Sequence, residues 1–158
     1  MKISISYFYN IRFFKPHQIP VSTAIWDPKW YHNGGSNETL FLDKNGVING
    51  LRIEELNPGY CHADGCPCKY HKTQEGYTSC KFLFQYRVGL RGVNFQEVYK
   101  KLENISKNWK EAQNLQEDPE IVLIVYETPD NPCSERVPII EWFAENGVEV
   151  KEWNAIPD

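Results

Sequence analysis

The chain has 158 residues, 17 Lys+Arg against 21 Asp+Glu, 22 aromatic side chains, five cysteines and four histidines. A chain of this length buries roughly 70% of its unfolded surface, so one domain over residues 1–158 is expected. An apolar content of 41% with 24% charged residues excludes intrinsic disorder and fibrous repeats. The longest clean apolar run, residues 121–126, is far short of a membrane span. The first residues read as a strand, without a signal peptide's apolar stretch and cleavage site. A soluble, cytoplasmic protein with no membrane partner is the expectation.

Charge and aromaticity divide along the chain. Residues 1–91 hold 11 Lys+Arg and 7 Asp+Glu, and residues 92–158 hold 6 and 14. Fifteen of the 22 aromatics lie in the first part. Cations mixed with aromatic faces suit a ligand carrying both phosphate and a base, although core packing is the commoner fate of any one aromatic. The net charge of −4, with no Lys/Arg cluster, disfavours duplex nucleic acid, whose binding needs a basic surface that releases counterions.

Along the chain, residues 3–9 alternate Ile3, Ile5, Tyr7, Tyr9 against Ser4, Ser6, Phe8, the period of a strand. Its far end is apolar on both faces, which predicts a central position. A loop follows through Pro16 to Pro20, and residues 21–26 are expected as a second strand, ended by Asp27-Pro28. Residues 31–79, rich in Gly, Asn, Pro and Cys, read as an irregular insertion. A helix is expected over 81–90. The clearest helix spans 94–113, where Phe95, Val98, Leu102, Ile105 and Trp109 form one stripe and Asn94 with Glu97 resembles a capping box. Residues 120–126 suit a buried parallel strand, 133–146 a helix stopped by Gly147, and 148–150 a last strand. The fold class is therefore α/β: a single domain with a mostly parallel open sheet flanked by helices, interrupted by a Cys-rich insertion.

The run from Ile121 through Glu127, Cys133-Ser134-Glu135-Arg136 and Trp142 to Gly147-Val148-Glu149-Val150 resembles the signature of the DUF488 family. That family carries a buried strand ending in Glu, a Cys-His-Arg motif opening a helix, and a closing Gly-x-x-Val strand. The segment Tyr7-Phe8-Tyr9-Asn10-Ile11-Arg12, with Val21-Ser22 and Trp30, resembles the start of a subgroup found in bacteria and their phages. The resemblance covers about half of the chain, at both ends. It implies a fold and, by carry-over, Cys133, Glu127 and, offset by one residue, Arg136. The motif histidine is absent here, replaced in the run Cys133-Ser134-Glu135-Arg136.

In an open α/β sheet, ligands bind beyond the carboxyl ends of the strands, where loops enter helix N-termini. Residues 127–136 lie at such a point. Arg136 and Arg12 are expected to hold an anionic group, Glu127 to accept from sugar hydroxyls, and Tyr9 and Ser134 to complete the ligand set. An ion pair of Arg136 with Glu127, or of Glu127 with Arg12, is the alternative. Cys133 at a helix N-terminus could be a nucleophile or a small buried cap. Cys61, Cys66, Cys68 and Cys80, with His62 and His71 among them, bunch within twenty residues. They can hold a structural zinc ion or remain free thiols, with disulfides the weaker explanation in a reducing compartment.

Three functions follow as expectations. The first is binding of a small nucleotide-like anion, as a phage protein sequestering a nucleotide signal of host immunity would do. The second is an enzyme acting on a nucleoside or nucleotide with Glu127 or Cys133 as nucleophile. The third is a protein-interaction domain anchored by Trp26, Trp30 and Tyr31.

Overall fold

The computed structural model describes residues 1–32, 41–42, 48–49, 51–58, 81–131 and 134–155. Its strands are β1 (Lys2–Tyr7), β2 (Gln18–Ser22), β3 (Tyr31–His32), β4 (Phe41–Leu42), β5 (Ile48–Asn49), β6 (Leu51–Arg52), β7 (Glu120–Val125) and β8 (Val150–Glu152). The helices are α1 (Lys81–Arg91), α2 (Phe95–Ala112) and α3 (Arg136–Glu145). Five strands form an all-parallel sheet in the order β6-β2-β7-β1-β8, the α/β architecture expected, and β3, β5 and β4 form a small second sheet. β1 is an inner strand beside the β8 edge, paired with β7 from Lys2↔Glu120 to Tyr7↔Val125 and with β8 from Ile3↔Val150, while β7 holds the centre.

The two faces of the main sheet differ. Ile3, Ile5, Ile19, Val21, Ile121 and Leu123 join the larger core, to which the apolar stripe of α2 contributes Val98, Leu102 and Ile105. The other face is small and polar towards the amino ends, with Ser4, Gln18 and Glu120 buried and the Ser4 hydroxyl donating to Glu120 at 2.5 Å. Towards the carboxyl ends, Val122 and Ile124 pack under Phe8, Ile11, Ala24 and Tyr31. A parallel sheet must be covered on both faces, and here a 3-10 turn (Phe8–Phe13) and the Tyr31 loop do part of what a helix usually does.

Several boundaries differ from the sequence reading for local reasons. β1 stops at Tyr7 because Phe8 and Ile11 turn back onto the second face. β2 begins at Gln18 and ends at Ser22, so Pro20 lies inside it rather than ahead of it. β6 joins β2 only at Val21↔Leu51 and Ser22↔Arg52, so at Pro20 the strand is paired on one side, and the missing N–H leaves no ladder bond unmade. Residues 51–58 are not part of an irregular insertion: β6 is an edge strand of the main sheet, and Leu51, Ile53 and Leu56 are core residues.

α2 is capped as expected, with Asn94 Oδ1 accepting from the Glu97 amide at 3.2 Å. α3 begins at Arg136, three residues later than read, and Pro138 falls in its first turn, where a missing N–H costs nothing. Its end is a Schellman closure: Gly147 at φ 82° donates to Ala144 at 3.0 Å and Val148 donates to Phe143 at 2.9 Å. That closure takes up Val148, so β8 starts two residues later than read, at Val150.

Candidate functional site at the carboxyl edge

β2, β7 and β1 are neighbours, and all three release their chains at the same edge of the sheet. Leaving β2, Ser22, Ala24 and Asp27 fold into a knot around Arg52, the last residue of β6. The Arg52 guanidinium meets Asp27 Oδ2 at 2.5 Å through Nη1 and donates to the Ala24 carbonyl at 2.7 Å through Nη2. Ser22 Oγ donates to Asp27 Oδ1 at 2.5 Å. Both charged side chains are nearly sealed, at 7% and 6% exposure. The Tyr31 hydroxyl bridges the carbonyls of Pro20 and Leu51, fastening this loop to two strands at once.

An open groove of about 680 Å³ lies against this knot, lined by Trp26, Lys29, Tyr31, Arg52, Glu54 and Asn57 among others. Trp26 is 55% exposed, and Trp30 is 43% exposed. Of the three aromatic anchors expected on this loop, two face solvent and Tyr31 is buried at 1%. Sequence reading had no access to the Asp27–Arg52 pair: the partners are 25 residues apart and share no local pattern.

From β7 the chain runs through Tyr126 and Glu127. Tyr126 is pushed above the ordinary tyrosine pKa, first by partial burial and then by the negative charge of Asp27. Glu127 Oε1 is buried and has no hydrogen-bond partner among the described residues. The Glu127 carboxyl bonds that of Glu135, which is 4% exposed. Glu135 is held well above the ordinary carboxyl range, by burial foremost and then by this bond and the charge of Glu127. A buried carboxyl held protonated beside a second carboxyl makes the pair a candidate acid and base.

Arg136 is 3% exposed. It grips Glu152 through Nε at 2.7 Å and Nη2 at 3.4 Å, and its Nη1 donates to the Glu127 carbonyl at 2.7 Å. The ion pair is therefore with Glu152, a partner the sequence did not suggest, and the guanidinium fastens the β7 and β8 ends to α3. Ser134 is buried, its Oγ accepting from the Arg136 amide at 3.2 Å. Arg12 is on the β1 side, its guanidinium 3.9 Å over the exposed Tyr9 ring and its Nε donating to the Tyr9 carbonyl at 3.0 Å. Cys133, Cys61, Cys66, Cys68 and Cys80 lie outside the described residues. Among the described residues, no group of three or more His, Cys, Asp or Glu is arranged to hold a metal, and no helix is long and apolar enough to cross a membrane. No family model, curated protein or solved structure matches the chain.

Proposed function

We propose that this chain binds a small, anionic, nucleotide-like ligand at the carboxyl edge of its sheet. The observation that carries the reading is the groove of about 680 Å³, a volume suited to such a molecule, with Trp26 offering a flat face and Lys29 a cation on the same loop. Glu54 and Asn57 on its other wall supply acceptors and donors for ribose or base. The location follows the rule for open α/β sheets, one strand over from where Glu127 and Arg136 alone would put it. Arg52 and Arg136 have carboxylate partners already, so Lys29 and Arg12 are the cations assigned to the ligand. Binding without turnover would suit sequestration of a nucleotide signal, the use suggested by the phage-like N-terminal resemblance.

Titration of the protein with nucleoside mono- and diphosphates, followed by tryptophan fluorescence and calorimetry, tests the reading. Saturable binding that Trp26→Ala weakens at least about tenfold supports it. No binding of any nucleotide by the folded protein overturns it.

The Glu127–Glu135 carboxyl pair favours a second reading, an enzyme acting on a nucleoside or nucleotide. Glu127→Gln and Glu135→Gln should then abolish turnover while leaving binding largely intact. Recovery of every bound nucleotide unchanged after denaturation rules the enzyme out.

A further inference from the structure

Nine large apolar side chains are exposed among the described residues: Met1, Tyr9, Phe13, Ile25, Trp26, Trp30, Phe84, Val88 and Tyr126. Six of them sit on the loops that leave β1, β2 and β7, three strands that lie side by side. Five of those six are aromatic. Tyr9 and Phe13 follow β1, Trp26 and Trp30 follow β2, and Tyr126 follows β7. Two of the rings, Trp30 and Tyr126, meet over buried Phe8, whose centroid is 6.1 Å from that of Trp30 and 4.9 Å from that of Tyr126. Tyr9 and Phe13 are 5.9 Å apart, and Arg12 lies over Tyr9.

Solvent-facing aromatics gathered at one edge of a sheet mark a contact surface. Its chemistry favours one occupant. The rings offer flat faces rather than an aliphatic patch, and within residues 9–30 Arg12 and Lys29 lie among them, after β1 and β2 respectively. The one acidic residue in that stretch, Asp27, is neutralised by Arg52. A mononucleotide has one base and can use only part of this array. A duplex keeps its bases stacked inside, out of reach of the rings.

We infer that the carboxyl edge binds single-stranded nucleic acid, unpaired bases stacking on Trp26, Trp30, Tyr126 and Tyr9 while Arg12 and Lys29 meet the phosphates. This rests on the proposed nucleotide reading and extends it from one nucleotide to several. Three neighbouring strands span roughly 10 Å at 4.8 Å spacing, enough for more than one base along the edge.

The test is fluorescence titration with thymidine 5′-monophosphate and with thymidine oligomers of two, four and eight nucleotides, at two salt concentrations. Affinity should rise about tenfold or more from one nucleotide to four. The octamer should lose about tenfold in affinity when salt is raised fourfold. Trp30→Ala and Tyr126→Ala, both at exposed positions, should each weaken the octamer by about fivefold or more and the mononucleotide little. If the mononucleotide binds as tightly as the octamer, this inference fails and the nucleotide pocket stands. If neither binds, both fail. Equal affinity for a duplex of the same length, or concentration-dependent dimerisation that Trp30→Ala abolishes, also overturns it, the latter in favour of a second copy of the chain.

Discussion

Asp27→Ala is the substitution from which the architecture of the carboxyl edge can be measured. Asp27 balances Arg52 in a nearly sealed space, with side-chain exposures of 6% and 7%, and also receives the Ser22 hydroxyl. Removing one partner of a buried pair leaves an uncompensated charge, at a cost of about 3–5 kcal/mol. For a chain of this size that corresponds to a fall in melting temperature of about 10 °C. Arg52→Met combined with Asp27→Ala removes the stranded charge and should recover at least half of the loss, because an apolar side chain of similar length fills the space. The recovery is incomplete because the Ala24 carbonyl loses its donor. The Arg87–Glu141 pair, with exposures of 28% and 46%, is the control: Glu141→Ala should cost no more than about 0.5 kcal/mol. Urea unfolding of Asp27→Ala, Arg52→Met, their double variant and Glu141→Ala, followed by far-ultraviolet circular dichroism, gives the cycle and its control. A cost below about 1 kcal/mol for Asp27→Ala, or single effects that simply add in the double variant, would refute the claim that this pair holds the loop.

Other consequences can be checked by the same assay. The raised pKa of Glu135 means that the folded state holds its proton above the ordinary 4.5, so stability is complete below that value and falls as pH rises through the native pKa. Glu135→Gln should remove this slope, so that variant and wild-type midpoints diverge as pH rises above the ordinary 4.5; parallel curves would show that Glu135 does not hold the proton. Gly147→Ala should destabilise by about 1 kcal/mol through its φ of 82° alone, since nothing lies within 4 Å of the added methyl. Gly89→Ala, in α1 with equally open surroundings and no positive φ, should stabilise by about 0.5–1 kcal/mol, and a loss there would contradict the helical assignment. Asn94→Ala should cost about 1 kcal/mol by uncapping α2, with no change in the denaturant slope.

What the sequence disclosed was what its periodicity encodes. α2 was placed within a residue because five apolar side chains recur at helical spacing, and β7 because an unbroken β-branched run has only a buried strand to occupy. Sequence alone starts β2 three residues late, at Val21 rather than Gln18, because Pro20 resembles a breaker until its one-sided pairing is known. The turn over residues 8–13 was invisible because consecutive aromatics fit a strand as well as a curl onto the sheet. At the site, Glu127 and Arg136 were legible as strand end and helix start. The partners of both were not: Glu152 comes from the next strand, and Glu135 had no role in a reading organised around a missing histidine. Burial decides such pairings, and burial is set by elements that sequence proximity does not connect.

The position of β1 has a consequence for how the chain can assemble. β1, the earliest of the described strands, takes its partners, β7 and β8, from beyond residue 119. Its ladder cannot close until most of the polypeptide has emerged, and loop closure over more than a hundred residues makes the step slow. Until then the Ile3 and Ile5 side chains and the free edges of β1 are open to other chains. Yield during expression should accordingly depend on chaperones and temperature more than the stability of the finished fold would suggest.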